Sequence, residues 1–230
     1  EEDGANTLNN VTSGNGNLST VNVTGDQDLN MGGMEDGVRT VDASGLDGSL
    51  TAAFGAADDT VEGGITFTGS AGDDTAALGN VDVTDSADAS VSVVGGAGDD
   101  TVSLGNAIDG LDGTFEGSVS IDGGDGYDRL SLTTDESTGA VGDFADLIAL
   151  DGVSISNVEE TTITVNGAAL GEFDMADLGG TTDFGFVQGD NGTPRNVTAN
   201  AENLTETFEL SFGATGSLRD LCGWTGYSTG

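Results

Sequence analysis

Along most of this chain apolar and polar residues alternate with a period of two, and a helical period is almost absent. Val91-Ser92-Val93, Val119-Ser120-Ile121, Val153-Ser154-Ile155 and Ile163-Thr164-Val165 each put their apolar side chains on one face of an extended segment. That is the mark of short, half-buried strands. The best helical candidate is 141–150, where Phe144, Leu147 and Ile148 share a face. With 40 glycines and one proline, the breaks between apolar runs read as tight turns rather than stiff loops.

The breaks themselves recur. Gly-Ser-Ala-Gly-Asp-Asp-Thr at 69–75, Gly-Gly-Ala-Gly-Asp-Asp-Thr at 95–101 and Gly-Gly-Asp-Gly-Tyr-Asp-Arg at 123–129 each lie between two alternating apolar runs. Units aligned on this phrase start at Leu50, Ile65, Val91, Val119 and Val153, separated by 15, 26, 28 and 34 residues. The Leu50 unit carries a degraded phrase at 55–61, and the Val153 unit has lost its glycines. The strand–turn–strand part keeps its length, so the variation falls in the connections 80–90, 106–118 and 133–152. A solenoid absorbs insertions in this way: like rungs bury a shared core while one edge carries variable loops.

The expected fold is therefore all-β, a parallel β-solenoid of the β-helix or β-roll type, with a β-sandwich of hairpins as the alternative. Residues 1–49 read as earlier, degenerate rungs or a cap, and 50–165 as the repeat solenoid. Beyond Val165 the phrase disappears and aromatics concentrate (Phe173, Phe184, Phe186, Phe208, Phe212, Trp224, Tyr227). Residues 166–230 are thus expected to form a C-terminal cap, an assembly segment or a small β-domain.

Charge narrows the function classes. The net charge is −37, from 41 acidic residues against four arginines, with no lysine and no histidine. Such a surface repels phosphate backbones and anionic membranes, which argues against nucleic-acid partners. Without imidazole there is no Ser-His or Cys-His nucleophile, and without lysine no phosphate-binding Gly-Lys loop. Glu159 and Glu160 are neighbours on a strand and point to opposite faces, so they cannot flank one glycosidic bond. No enzymatic activity is expected. No apolar run approaches the roughly 20 residues that cross a bilayer, so membrane embedding is not expected either. Cys222, the single cysteine, reads as a buried thiol, with an intermolecular bond as the alternative. A chain opening on Glu1 is expected of a mature, processed or excised protein. Six Asn-x-Ser/Thr sequons (Asn10, Asn17, Asn22, Asn191, Asn196, Asn203) would suit an exported one.

So much negative charge requires neutralisation, by divalent cations at specific sites or by salt that screens over roughly 3 Å at 1 M. The recurring phrase offers the first. Glycine-rich turns expose carbonyl oxygens beside an aspartate, and calcium takes six to eight oxygen ligands. The second and third copies fit the nonapeptide G-G-x-G-x-D-x-U-x, with Asp100 and Asp128 at the ligand position and Val102 and Leu130 as inward apolar residues. The first copy keeps Asp74 but has Ser70 for a glycine and Ala76 for the large apolar residue; 55–61 keeps Asp59. Candidate ion ligands are Asp59, Asp73, Asp74, Asp99, Asp100, Asp125 and Asp128, with the turn glycines Gly72, Gly98 and Gly126. The alternatives are a plain solvated Gly-Asp turn and an acidic surface adapted to salt.

On these phrases the chain resembles the calcium-binding repeat-in-toxin (RTX) family. It is similar, more closely, to calcium-dependent bacterial surface-layer proteins and large repeat adhesins. The resemblance covers roughly 20–165. It differs in spacing, because RTX nonapeptides run back to back whereas Asp74, Asp100 and Asp128 lie 26 and 28 residues apart. Ion binding then requires stacked rungs to bring these aspartates into register, or a neighbouring loop (Asp85, Asp88, Asp109, Asp112) to complete each site. The resemblance implies an extracellular, cell-surface structural protein that binds Ca2+ and assembles with itself into a layer, sheath or filament. The alternative is an adhesin or carbohydrate-binding module with cell-surface polysaccharide as partner.

Overall fold

The computed structural model describes residues 6–8, 10–11, 18–34, 37–54, 61–62, 64–79, 81–82, 90–104, 118–134, 153–165, 172–174, 181–188, 198–200 and 207–212. The helical candidate 141–150, Asp59, the loop aspartates Asp85, Asp88, Asp109 and Asp112, Cys222 and the sequons at Asn17, Asn191, Asn196 and Asn203 lie outside them.

Among the described residues two large stacks of strands make the body of the fold, and every pairing is parallel. One stack takes the first strand of each rung: Thr20–Gly25, Thr40–Leu46, Ile65–Thr68, Ser90–Ala97, Ser118–Asp125 and Val153–Ser156, in chain order. The other takes the second strands: Leu29–Met34, Leu50–Phe54, Thr75–Leu78, Thr101–Leu104, Arg129–Thr134 and Glu160–Val165. Rung therefore lies on rung, as a parallel β-solenoid requires. A sandwich of hairpins, with its antiparallel ladders, is not the fold.

Register follows from the alternating pattern, because a one-residue slip would turn every apolar side chain outward. Val41, Phe67, Val93, Ile121 and Ile155 pair in succession, and all are buried. Facing them, Phe54, Leu78, Leu104 and Leu132 form a second buried column. Large and small residues compensate: Phe67 shares its rung with Ala76, and Phe54 shares its rung with Ala43 and Ala52. The Phe54 and Phe67 rings meet edge to face, 6.4 Å apart at 85°. Where the Ala52–Ala76–Val102–Leu130 column reaches Thr161, its buried hydroxyl pairs with that of Thr181 at 2.8 Å.

The structure moves one rung boundary. Leu50–Phe54 pairs with Thr75–Leu78, not with Ile65–Thr68, so it is the second half of a rung whose first half is Thr40–Leu46. Thr20–Gly25 and Leu29–Met34 form a further rung before it. Beyond Val165 the second-strand stack continues through Asp183–Gln188 and Thr207–Phe212, still parallel and in register. Val61–Glu62 pairs with Val81–Asp82, and Glu172–Asp174 with Thr198–Asn200, so successive connections also lie side by side.

Candidate functional site

The recurring phrase forms the corner that joins the two stacks, and stacking brings its aspartates into two columns. Asp74, Asp100 and Asp128 make the inner one, each only 2% exposed. Each uses Oδ1 to accept a backbone N–H from the rung before. Leu50 N–H donates to Asp74, Asp74 N–H to Asp100 at 2.7 Å, and Asp100 N–H to Asp128 at 2.8 Å. Glu159 continues the column, accepting Asp128 N–H on Oε2 at 2.8 Å.

The outer column runs the other way. Asp28 Oδ1 accepts Ser49 N–H from the rung after it (2.9 Å), Asp73 accepts Asp99 N–H (2.9 Å), and Asp99 accepts Tyr127 N–H (3.0 Å). These carboxylates are exposed. Asp125 is exposed as well, and its carbonyl accepts Gly98 N–H. Gly72, Gly98 and Gly126 stack on one another beside them, Gly98 and Gly126 with φ of +113° and +151° that only glycine adopts freely.

The inner corner explains the doubled glycines. A Cβ at Gly95 would collide with both Asp100 Oδ2 and the Gly123 carbonyl; one at Gly123 would collide with Asp128 and the Asn157 carbonyl. The carboxylate thus occupies the space a side chain would need. In the last corner Asn157 stands in register with Gly123, takes φ +51°, which asparagine tolerates, and donates through Nδ2 to Asp122.

Electrostatically the inner corner is unbalanced. Asp100 Oδ2 and Asp128 Oδ2 are buried without a hydrogen-bond partner, each beside the carbonyl oxygen of the next rung. Burial is the main reason the Asp100 carboxyl is pushed up to about 7, and the Asp74, Asp128 and Asp73 carboxylates add to it. Burial raises Asp128 and Asp74 too, while hydrogen bonds from Ser70 pull Asp74 back. Bare carboxylate oxygens beside peptide oxygens form the hard-oxygen set that suits calcium. On this chemistry the residues fit the ion. Among the described residues, however, no three His, Cys, Asp or Glu side chains converge on one point, so peptide carbonyls would have to supply the remaining ligands.

Asp73, Asp74, Asp99, Asp100 and Asp128 are thus brought together in two columns, whereas Asp125 stays outside both. The sequence reasoning missed Glu159 and the outer partners Asp28 and Ser49. Their signal was position relative to the following strand: each stands one residue before the second strand of its rung. At the edge of the corner, Tyr127 donates its hydroxyl to Asp183 at 2.8 Å, which pushes its own ionisation up to about 12. Arg129 lies 4.9 Å over the Tyr127 ring and pairs with Glu160 at 3.0 Å. Among the described residues no helix is long and apolar enough to cross a membrane. No protein-family model matches the chain, and comparison with curated proteins and with solved structures gives no significant match.

Proposed function

We propose that this protein is an extracellular structural protein of the cell surface: a calcium-stabilised β-solenoid that assembles with copies of itself into a layer, sheath or filament. The observation that carries the reading is the inner column, where buried carboxylates stand one rung apart with Oδ2 of Asp100 and Asp128 unpartnered. On a chain of net charge −37 such a column is costly unless a positive species joins it. Asp100, Asp128 and the adjoining Gly123 and Asn157 carbonyls would hold the ion, and calcium would supply the neutralising charge. The chain's own part is to set these oxygens at rung spacing, about 4.8 Å, and to keep water from them. The same neutralisation lets acidic subunits approach one another. The resemblance to RTX and surface-layer repeats points the same way.

Electron microscopy and thermal unfolding, each with calcium and with EGTA, test the reading. Ordered assemblies and a raised melting temperature in calcium, both lost in EGTA, are expected. Indifference of both to chelation refutes it. The paired connections Val61–Glu62 and Val81–Asp82 favour a second reading, in which stacked loops on one edge bind cell-surface polysaccharide. Glycan binding by a monomer that never assembles would select that one.

A further inference from the structure

The three corners of the inner column are not equivalent, and Ser70 is the reason. At Asp100 and Asp128 the phrase is Gly-Gly, and Oδ2 finds no donor. At Asp74 it is Gly-Ser. Ser70 N–H donates to Asp74 Oδ2, and its hydroxyl, 2.7 Å away, donates to Oδ1, which also accepts Leu50 N–H. Ser70 is itself buried, at 6% exposure, and its Oγ lies 2.7 Å from the Gly48 carbonyl of the preceding rung and 3.1 Å from the Gly72 N–H that it accepts. Both oxygens of Asp74 are therefore served from within the chain. A carboxylate whose oxygens already hold donors offers a cation less than one with a bare oxygen.

We propose that Ser70 is a built-in stop for ion binding: it saturates Asp74, so the corner column takes a calcium ion at the Asp100–Asp128 step and none at Asp74. This rests on the calcium reading above and adds where occupancy ends. The two bare oxygens stand on successive rungs, Asp100 Oδ2 beside the Gly123 carbonyl and Asp128 Oδ2 beside the Asn157 carbonyl. Calcium fits such a dry corner better than magnesium, which gives up its water reluctantly and demands near-ideal octahedral geometry. The donor that sets Asp74 apart is the Ser70 backbone N–H on Oδ2, presented where serine stays out of the positive φ that its counterparts Gly96 (+122°) and Gly124 (+111°) take; it is neutral, so it quiets Asp74 without adding charge.

The test counts ions on the full chain by native mass spectrometry in calcium, with far-ultraviolet circular dichroism to confirm that each variant keeps its strands. Because only differences from the native count are read, ions held elsewhere on the chain cancel. Asp100→Asn is expected to lose one calcium and Asp74→Asn none; Ser70→Gly, freed to take the positive φ of Gly96 and Gly124 and so to turn its N–H away from Asp74 Oδ2, is expected to gain one. Ser70→Gly removes atoms and introduces none, so it keeps the proposal testable if an aspartate variant fails to fold. An unchanged count in Ser70→Gly, or equal losses in Asp74→Asn and Asp100→Asn, overturns the role of Ser70. A native chain that binds no calcium at all overturns instead the reading beneath it, with protonation of the column as the remaining way to satisfy its oxygens.

Discussion

Replacing Asp100 by asparagine tests the electrostatics of the corner directly. The amide keeps an oxygen to accept Asp74 N–H, and it puts an NH2 donor where Oδ2 now stands bare beside the Gly123 carbonyl. In the ion-free protein the Asp100 carboxyl ionises only at about 7, against 3.8 for the free side chain. Between those values the folded chain holds a proton that the unfolded chain has released. The contribution of Asp100 to the stability of the ion-free protein therefore falls as pH rises from about 4 through 7, and is level on either side. At about 1.4 kcal/mol per pH unit the full span corresponds to roughly 4 kcal/mol, and relaxation of the corner brings it to roughly 2–4 kcal/mol. The substituted amide does not titrate, so in EGTA at pH 8 the variant should be the more stable by that amount. For a chain of this length the gain corresponds to roughly 5–15 °C in melting temperature. At pH 4 the two proteins should melt together, and in saturating calcium the order should reverse because the variant has lost an ion ligand. Thermal unfolding followed by circular dichroism at both pH values reads all three comparisons. An Asp100→Asn variant less stable than the native protein in EGTA at pH 8 would refute the reasoning.

Other substitutions probe separate features. Gly95→Ala forces a Cβ into Asp100 Oδ2 and a backbone carbonyl, so urea unfolding should show a loss of about 3 kcal/mol or more. Gly45→Ala, whose one tight contact would be a methyl of the Thr24 side chain at 2.9 Å, should stay within about 1 kcal/mol of the native protein. Phe67→Ala empties the middle of the core and should cost about 3–5 kcal/mol by the same measurement. Arg129→Ala breaks an ion pair whose partners are 45% and 36% exposed, and should cost less than about 1 kcal/mol, an effect that shrinks further in high salt.

Much of the architecture was legible because a stack of rungs repeats its instructions. The period of two located the strands of Val91, Val119 and Val153, and the constant strand–turn–strand length pointed to parallel stacking. The corner was harder to read where a different residue supplies the same chemistry. Glu159 does the work of an aspartate from one methylene farther away, and Asn157 turns the last corner with a left-handed backbone that its side chain tolerates. The Leu50 unit was set half a rung out of place because 55–61 imitates the corner phrase, while Leu50–Phe54 in fact leads away from a corner at 47–49. Past Val165 the glycine phrase that served as landmark is gone, but alternation at 183–188 and 207–212 is enough to extend the sheet. What no periodicity could reveal is that Asp73 and Asp74, adjacent in sequence, reach for opposite neighbours.

That opposition has a mechanical consequence. Because one column clasps backward and the other forward, each of the two middle joints between turns of the coil, at Asp74–Asp100 and Asp100–Asp128, is fastened by hooks sewn from both sides. A pull along the coil's long direction must undo the two together with the main-chain bonds of that joint, rather than peel them one after another. A thread stitched this way should yield abruptly and late under tension.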